Sequence, residues 1–600
     1  MQPVLSVSNL EVDFRKDDQW LPIVRQVSFD IGAQETVAVV GESGSGKSVT
    51  ALAVMRLLPA DRVRIRGGIH LGERSLLSLD EERMRRIRGR DMAMVFQEPC
   101  LNPVFTIGFQ LAEALRLRRP LSRREARREA IRLLKKVRIP AAENRYDDYP
   151  HQLSGGMRQR VMIALALAGQ PKLLIADEPT TALDVTIQAQ ILALLKTLQR
   201  EEGMAVLFIT HDMGVVAEIA DRTLVMQSGR SVEFNQTARL FAAPAHPYTQ
   251  ALLAAVPLPG QMDGVAHPLR YPDALGESGP AGDVAPARST VDMSRPPLLE
   301  VQNLTTRFDI RRGLFSRLVG RVHAVEQVSF QLYAGETLSL VGESGCGKST
   351  IARTLMGLTP PTGGTIVVQG RPVVSGESKR LAELRKSVQM VFQDPYASLN
   401  SRMTVGESIA EPFLAHRLGD RRQALARVDE LLTLVGLSAE MAGRYPHEFS
   451  GGQRQRICIA RALILQPALL IADESVSALD VSVKAQIINL LLDLQARLGL
   501  AYLFISHDMA VVERFSHRVA VMYRGQIVET GPREAIFNQP RHPYTRRLMA
   551  AVPIPDPSRR QLIREIDNTE ILSPIFPPDI TVPPVRYDEV APGHLVQQGY

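Results

Sequence analysis

Residues 36–48 read TVAVVGESGSGKS, and residues 337–349 read TLSLVGESGCGKS. Each stretch is a short apolar run that is followed by glycines, a lysine and a serine, and then by sequence with a helical period. This order is typical of a buried parallel strand, a phosphate-binding loop and the start of a helix. The glycines let backbone N–H groups converge on phosphate oxygens, where the helix dipole favours negative charge. The two stretches therefore predict two nucleotide-binding α/β domains.

Further sequences occur twice along the 600 residues, including MVFQEP and MVFQDP, IADEP and IADES, and HPYT. The lysines of the two glycine loops, Lys47 and Lys348, are 301 residues apart. The later pairs, such as Gln97 and Gln393, are all 296 residues apart. A constant spacing over most of each half indicates two copies of one domain, and the spacing is too long for a solenoid.

We expect a first domain over residues 1–257 and a second over residues 298–555, joined by a linker over 258–297 and followed by a tail over 556–600. The linker is rich in proline, glycine and alanine, and the tail is rich in proline. This composition predicts partly extended, mobile chain. Within a copy, KLLIAD and MAVLFIT predict further buried strands, and the region from about 105 to 165 is mostly helical in period. We expect an α/β core with a helical insert.

The composition excludes several classes of protein. The chain is 45% hydrophobic and 22% charged, as in ordinary globular proteins, and no charge-free run approaches the roughly 18 residues of a spanning helix. The three cysteines are too far apart to form a disulfide framework or a metal site. The N-terminus lacks the basic start and apolar run of a signal peptide. These features predict a reduced protein on the cytosolic side.

Acidic residues end one apolar strand in each copy. Asp177 and Asp473 stand where a carboxylate can hold Mg²⁺. Glu178 and Glu474 follow immediately, so in an extended chain their side chains point differently and can address the attacking water. A lone Asp-Glu pair is more often a solvated strand end. The glycine loop in the same copy favours the functional interpretation.

Two more pairs of residues are candidates for the same chemistry. Gln97 and Gln393 can reach Mg²⁺ or water from a loop whose movement could sense the γ-phosphate. His211 and His507 each follow an apolar strand. A single histidine there would more often be structural, but the identical placement in both copies indicates a contact with the γ-phosphate.

A second anion site is predicted where Ser-Gly-Gly precedes a helix, because the sequence offers a hydroxyl and bare backbone amides. Each copy already has a phosphate loop, so we expect this site to serve the nucleotide of the other copy in a head-to-tail pair. The residues are Ser154, Gly155 and Gly156 in the first copy and Ser450, Gly451 and Gly452 in the second.

The ordered set of these motifs resembles the ABC ATPases over residues 1 to about 255 and 298 to about 553. The HPYT-x-x-L-x-AAVP sequences that begin at His246 and His542 resemble the peptide/nickel branch of ABC importers. In its fused form, the chain most resembles the glutathione-import members of that branch in Gram-negative bacteria. The resemblance implies two tandem P-loop ABC ATPase domains, each with a RecA-like core and a helical subdomain, packed head-to-tail.

The resemblance also implies ATP and Mg²⁺ as cofactors and two competent sites. For ATP it implies the Ser-Gly-Gly residues together with Gly41, Glu42, Ser43, Gly44, Ser45, Gly46, Lys47, Ser48, Gly342, Glu343, Ser344, Gly345, Cys346, Gly347, Lys348 and Ser349. For Mg²⁺ it implies Ser48, Gln97, Asp177, Ser349, Gln393 and Asp473. For catalysis it implies Glu178, His211 and Gln97 in one copy and Glu474, His507 and Gln393 in the other.

The implied function is ATP hydrolysis that drives glutathione uptake at the cytoplasmic face of the bacterial inner membrane. The implied partners are two integral membrane permease subunits and, through them, a periplasmic substrate-binding protein, and no nucleic acid is expected. Dipeptides, oligopeptides or nickel chelates are alternative cargoes. A soluble tandem ATPase acting on ribosomes or nucleic acid is the alternative of another class, but the chain lacks the zinc-binding cysteine groups and the charged helical linker of such proteins.

Local departures separate the two copies. Between Arg116 and Arg138, the first copy has eleven Arg and Lys residues against two Glu. This run is compatible with a solvated helix face, with contact to anionic lipid headgroups, or with nucleic-acid binding. The first Gln segment is two residues shorter than the second, and Phe109 replaces Glu407. Asn235 replaces Gly531, where we expect a turn with positive φ.

Overall fold

The structure is a computed structural model that describes residues 2–599, except 182, 257–259, 273–289, 313–314, 374–377, 478, 561–574, 579 and 581. The chain divides into two compact units. Unit 1 comprises Met1–Val256 and Pro553–Asn568, and unit 2 comprises Pro257–Val552 and Thr569–Tyr600.

Unit 1 is built from alternating strands and helices. Its strands are β1 (Leu5–Lys16), β2 (Gln19–Ile31), β3 (Thr36–Val40), β4 (Val63–Leu71), β5 (Arg74–Ser75), β6 (Met92–Val95), β7 (Leu173–Asp177), β8 (Ala205–Ile209), β9 (Arg222–Gln227) and β10 (Arg230–Gln236). Its helices are α1 (Lys47–Val54), α2 (Glu81–Ile87), α3 (Ile107–Arg118), α4 (Arg123–Lys136), α5 (Ala142–Arg145), α6 (Gly155–Leu167), α7 (Val185–Glu202), α8 (Met213–Ile219), α9 (Thr237–Ala242) and α10 (Pro247–Ala254).

The central sheet of unit 1 has the strand order β10-β9-β3-β8-β7-β6, and a second, antiparallel sheet has the order β2-β1-β4-β5. In the central sheet β3 pairs in parallel with β8 and β9. Strands β3, β7 and β8 are buried along their whole length, because apolar side chains pack on both of their faces. The predicted strands and the predicted helical insert are confirmed, since α3, α4 and α5 occupy the middle of the unit.

Unit 2 repeats this order and adds strands from the tail. Its strands are β11 (Leu299–Arg312), β12 (Arg317–Leu332), β13 (Thr337–Val341), β14 (Gly363–Val368), β15 (Arg371–Pro372), β16 (Val388–Val391), β17 (Leu469–Asp473), β18 (Ala501–Ile505), β19 (Arg518–Tyr523), β20 (Gln526–Pro532), β21 (Ile575–Phe576), β22 (Tyr587–Ala591) and β23 (His594–Gln597). Its helices are α11 (Lys348–Leu355), α12 (Ser378–Ser387), α13 (Pro395–Ser398), α14 (Val405–Ala415), α15 (Arg421–Leu434), α16 (Gly451–Leu463), α17 (Val481–Leu498), α18 (Met509–Phe515), α19 (Arg533–Asn538) and α20 (Pro543–Ala550).

The tail lengthens both sheets of unit 2. Its central sheet has the order β16-β17-β18-β13-β19-β20-β23-β22, in which β23 pairs with β20. The other sheet has the order β15-β14-β11-β12-β21. The expectation of a mobile tail is therefore wrong for β21, β22 and β23. Composition cannot anticipate β21 and β23, because they pair with β12 and β20, which are distant in sequence.

The linker also differs from the expected mobile chain where the structure describes it. Tyr271 is buried, its N–H donates to Asn489 Oδ1 at 2.8 Å, and its carbonyl oxygen accepts from Asn489 Nδ2 at 3.0 Å. Residues 260–272 thus pack as part of unit 2. The expectation for 258–259, 273–289 and 561–574 lies outside the described residues.

Candidate functional site

The glycine loop of each unit joins its central strand to a helix, β3 to α1 and β13 to α11. Gly41 has φ 147°, and a Cβ there would lie 2.1 Å from the carbonyl oxygen of Met226, so only glycine fits. Lys47 is buried at the start of α1, where its Nζ donates to the carbonyl oxygens of Gly41 at 2.7 Å and Glu42 at 3.0 Å. Lys348 makes the corresponding bonds at 2.6 and 3.0 Å. The lysine is thus held inside the loop that it is predicted to serve.

A tyrosine that the sequence analysis did not assign to the site contacts this loop in both units. The N–H of Glu42 donates to the hydroxyl of Tyr248 at 3.1 Å, and the N–H of Glu343 donates to the hydroxyl of Tyr544 at 3.0 Å. Each tyrosine belongs to an HPYT sequence that begins a helix, α10 or α20. The repetition of HPYT at the same place in both copies is the sequence signal for this contact.

A serine and an aspartate meet at the end of the glycine loop. Ser48 Oγ donates to Asp177 Oδ1 at 2.9 Å, and Ser349 Oγ donates to Asp473 Oδ1 at 3.0 Å. Burial, partly offset by the serine bond, raises the pKa of both aspartates above the ordinary value. Hydroxyl and carboxylate oxygens are ligands that Mg²⁺ prefers, and a cation would restore the charged carboxylate. The pair therefore fits a magnesium ion.

Glu178 and Glu474 do not continue their strands as expected. Their φ angles are 45° and 48°, in the left-handed region, so a backbone turn rather than strand alternation separates them from the preceding aspartates. The extended-chain geometry predicted from the sequence is wrong. A non-glycine residue in this region costs on the order of 1–3 kcal/mol, and such strain is concentrated at functional sites. The turn is fixed by the N–H of Glu178, which donates to the carbonyl oxygen of Ile209 at 3.0 Å.

Three polar side chains surround the carboxylate of Glu178. Gln97 Nε2 donates to it at 3.1 Å, Thr181 Oγ1 donates at 2.9 Å, and His211 Nδ1 lies 3.3 Å away. Burial opposes the charge of Glu178, but the contact with His211 and the bond from Thr181 outweigh it, and the pKa is lowered. Glu178 is therefore ionised at neutral pH, in contact with the predicted glutamine and histidine.

The second unit brings the corresponding residues together with two differences, the carboxylate oxygen that the histidine contacts and the partner of the serine that replaces Thr181. Gln393 Nε2 donates to Glu474 Oε2 at 2.8 Å, and His507 Nδ1 lies 3.6 Å from the same oxygen. Burial again opposes the charge, and the contact with His507 lowers the pKa of Glu474. Ser477, in the place of Thr181, donates to the backbone carbonyl oxygen of Glu474 at 2.8 Å.

The Ser-Gly-Gly sequences begin α6 and α16, and their second glycine packs within its own unit. Ser154 and Ser450 are the N-cap residues of these helices. A Cβ on Gly156 would lie 2.5 Å from Cγ2 of Ile187 on α7, and one on Gly452 would lie 2.4 Å from Cγ1 of Val483 on α17. The glycine therefore allows close contact between two helices, a role that the sequence analysis did not foresee.

The segments that follow Gln97 and Gln393 present different surfaces. In unit 1, Val104, Phe105 and Phe109 are exposed, and the two phenylalanine rings stack with centroids 4.7 Å apart. In unit 2, Glu407 accepts from the N–H of Thr404 at 3.0 Å and closes the first turn of α14. The replacement of Glu407 by Phe109 thus exchanges a capping carboxylate for an exposed aromatic pair.

Each unit therefore gathers a phosphate loop, a Ser-Asp pair and a glutamate with its glutamine and histidine, a set suited to holding phosphates and activating water. Among the described residues, no helix combines the length and apolar content needed to cross a membrane.

Comparison with known proteins shows the family of the chain. The ABC transporter family model matches residues 24–181 and 325–477. The oligopeptide/dipeptide transporter, C-terminal region model matches 232–275 and 528–574. The glutathione import ATP-binding protein GsiA of Escherichia coli O157:H7 is 56% identical over 607 residues, which cover 99% of this chain and 97% of that protein. GsiA of Escherichia coli strain K12 is also 56% identical, over 603 residues and with the same coverage.

Among solved structures, the dimeric structure of MJ0796, a bacterial ABC transporter cassette, is 30% identical with a TM-score of 0.36, and covers 39% of this chain and 98% of that chain. The chain belongs to the ABC transporter family and carries an ATPase domain of that family in each half.

Proposed function

We propose that the chain is the ATP-hydrolysing subunit of an importer that carries glutathione across the bacterial inner membrane. The observation that carries this proposal is 56% identity, over nearly the whole length of both chains, to proteins named for glutathione import. The complete set of loop, Ser-Asp, glutamine, glutamate and histidine in both units supports two working sites.

The loops Gly41–Ser48 and Gly342–Ser349 would hold the ATP phosphates through backbone N–H groups and the lysine ammonium. Ser48, Asp177 and Gln97 would hold Mg²⁺ in unit 1, and Ser349, Asp473 and Gln393 would hold it in unit 2. Bound Mg²⁺ neutralises phosphate charge and orients the phosphates. The assignment of the Ser-Gly-Gly residues to the nucleotide of the other copy stays a prediction.

Glu178 and Glu474 would accept the proton of the attacking water. Their lowered pKa keeps them ionised, so each can act as a base at neutral pH. In unit 1, Gln97 and His211 contact opposite oxygens of the Glu178 carboxylate, which fixes its orientation. His211 and His507 would sense the γ-phosphate from this position.

Replacement of both bases tests this chemistry. Glu178→Gln with Glu474→Gln keeps the shape of each side chain but removes the charge that accepts a proton. We expect ATP binding to persist and steady-state hydrolysis to fall by about 10²–10⁴-fold. Hydrolysis and equilibrium binding of labelled ATP would be measured on the same preparation. Hydrolysis at the wild-type rate would contradict the assignment.

We also propose two membrane-embedded permease subunits as partners, fed by a periplasmic binding protein, with this chain peripheral on the cytoplasmic face. The exposed Val104, Phe105 and Phe109 supply an apolar surface beside Gln97, where a permease segment could influence the site. Replacement of both phenylalanines by serine should weaken co-purification with the permease subunits and leave basal ATP hydrolysis of the isolated chain unchanged.

The cargo is tested by uptake in cells that lack the chain. The peptide-transporter match over residues 232–275 and 528–574 favours di- or oligopeptides as the second candidate. Labelled glutathione and a labelled dipeptide would be compared, with wild type and the Lys47→Ala, Lys348→Ala variant as complementing chains. Loss of glutathione uptake alone, restored only by wild type, supports the proposal. Loss of dipeptide uptake alone would show that the cargo is a dipeptide and not glutathione. If the cells still took up both compounds, the chain would not be needed to import either of them.

A further inference from the structure

Each proposed switch histidine is followed directly by a short helix, His211 by α8 and His507 by α18, and we call these the switch helices. Only Asp212 separates His211 from α8. Its Oδ1 accepts the N–H groups of Gly214 at 2.8 Å and Val215 at 3.3 Å. The histidine and the first turn of the helix are therefore tied together, and a displacement of the switch helix moves the histidine.

In unit 1, the segment from the last residue of the second repeat, Pro553, to Arg560 contacts both ends of the switch helix. At the first turn, a Cβ on Gly214 would lie 3.0 Å from the Cβ of Pro553, so the proline packs directly on the helix. At the last turn, Arg560 Nε donates to the carbonyl oxygen of Glu218 at 2.7 Å and Nη1 donates to Asp221 Oδ1 at 3.2 Å. The arginine thus satisfies a terminal carbonyl and places a cation at the negative end of the helix.

The same Asp221 connects this contact to the phosphate loop. Its other oxygen, Oδ2, accepts the N–H of Thr36 at 2.9 Å. Thr36 is the first residue of β3, the strand that leads to the glycine loop. Arg560 therefore fixes a carboxylate that joins the end of the switch helix to the start of the strand.

In unit 2, the segment 260–272, which follows the first repeat, contacts the switch helix through a different set of residues. Arg514, near the end of α18, donates from Nε to the carbonyl oxygen of Leu269 at 3.1 Å, and its own carbonyl accepts the N–H of Leu269 at 3.0 Å. The guanidinium also lies 4.5 Å from the centre of the Tyr271 ring. The contacting side chains differ between the two units. In both units, however, the last turn of the switch helix is held by a segment that comes from the other repeat.

We propose that these exchanged segments, residues 260–272 and 553–560, position the switch histidines, with Arg560 as the positioning residue for His211. In both cases the chain passes to the other unit at the proline of the same sequence, AAVP, which is Pro257 or Pro553. Residues 260–272 come from the end of the first repeat but belong to unit 2, and residues 553–560 come from the end of the second repeat but belong to unit 1. The end of one repeat therefore sets the switch of the other. This rests on the proposed function, since it takes His211 to act on ATP.

The test is Arg560→Gln in the full chain, with Arg559→Gln as the matched control, because Arg559 is exposed and pairs with Asp556. Amide hydrogen exchange without nucleotide would be followed in peptides covering 212–220 and 508–516. Loss of the two charged bonds should speed exchange at 212–220 about 10-fold and leave 508–516 unchanged. Arg514→Gln should give the opposite pattern.

ATP hydrolysis supplies the second readout. Because one of two sites is affected, kcat should fall by up to about two-fold in Arg560→Gln while KM for ATP stays constant, and Arg560→Lys should restore part of kcat by renewing the cation. Unchanged exchange at 212–220 would overturn the proposal. Faster exchange with wild-type kcat would overturn the positioning role. Wild-type hydrolysis in His211→Ala would instead contradict the proposed function, and the exchange result would still decide whether the segment holds the helix.

Discussion

At the scale of single residues, Tyr248 and Tyr544 show how a C-terminal extension reaches the glycine loop, the proposed ATP site. The tyrosine hydroxyl accepts an N–H group of the glycine loop, and His246 Nδ1 accepts the N–H of Tyr248 at 3.1 Å and so caps the tyrosine's helix. The HPYT sequence therefore links the second half of each domain to its glycine loop.

Removal of this hydroxyl should loosen the loop without unfolding the domain. In Tyr248→Phe we expect the KM for ATP to rise about five-fold, the value of one typical hydrogen bond, with kcat little changed. Steady-state kinetics would be compared with those of Tyr149→Phe, an exposed tyrosine outside the loop. Equal KM values in the two variants would mean that the loop keeps its shape without the bond.

The two glycines after Ser154 should respond differently to one added methyl group. Gly156→Ala places a Cβ 2.5 Å from Ile187 and should lower the free energy of unfolding of unit 1 by about 1–3 kcal/mol. Gly155→Ala meets only Leu183 at 3.8 Å, and should be neutral or stabilising because alanine favours a helix. Denaturant unfolding of both variants checks the difference. Equal losses would refute the packing role.

At the scale of elements, the tail hairpin explains a difference between the repeats. Asn235 and Gly531 lie in extended strands, β10 and β20, so the turn with positive φ that we expected for them is wrong. A Cβ on Gly531 would lie 3.2 Å from His594 of β23. His594 in turn contacts Glu529 at 2.8 Å. The glycine leaves room for a strand that pairs with β20 of unit 2.

The residues just before β9 and β19 differ between the two units but accept the same backbone hydrogen bond. Asp221 in unit 1 and His517 in unit 2 each accept an N–H from the start of the central strand, Thr36 at 2.9 Å and Thr337 at 3.0 Å. Burial, helped by the charges of His267 and Arg533, lowers the pKa of His517 from 6.5 to about 4. His517 Nδ1 can accept the N–H of Thr337 only while that nitrogen carries no proton, so the neutral histidine makes the bond.

Unit 2 should therefore lose stability in mild acid. Between pH 6.5 and about 4 the unfolded chain binds a proton at His517 that the folded chain does not, so the free energy of unfolding falls as pH falls, by at most about 3 kcal/mol. His517→Asn keeps an acceptor without titrating and should flatten this slope. Urea unfolding across the window, with exposed His447→Asn as control, measures it. An unchanged slope would contradict the role of His517.

At the scale of the whole molecule, the sequence allows prediction of what local patterns encode. The repeat, the glycine loops and the clusters around Glu178 and Glu474 follow from motifs whose chemistry is local. The exchanged segments do not, because Tyr271 and Arg560 act through carbonyl groups and partners more than 200 residues away. Nor does the left-handed turn at Glu178, which depends on the neighbouring strand β8.

Truncation at two points separates the contributions of the tail. A chain that ends at Val552 lacks the contacts of Pro553 and Arg560 with unit 1, whereas a chain that ends at Arg560 keeps them. We expect the unfolding transition of unit 1 to be lower by several degrees in the shorter chain, with that of unit 2 equal in both. Calorimetry without added nucleotide would measure the unfolding transitions of both units in the two chains. Identical profiles would show that residues 553–560 add nothing to unit 1.

The exchanged segments also set an order for biosynthesis. Residues 553–560 complete unit 1, yet they are translated about 300 residues after its strand β10 and helix α10. At about 5–20 residues per second, a ribosome needs roughly 15–60 s for that distance. During this interval the first domain exists as a nascent chain whose switch helix is still without Arg560. The first ATPase domain to be made is therefore finished only after the second repeat has been translated, and a message broken within the second repeat yields no finished copy of either.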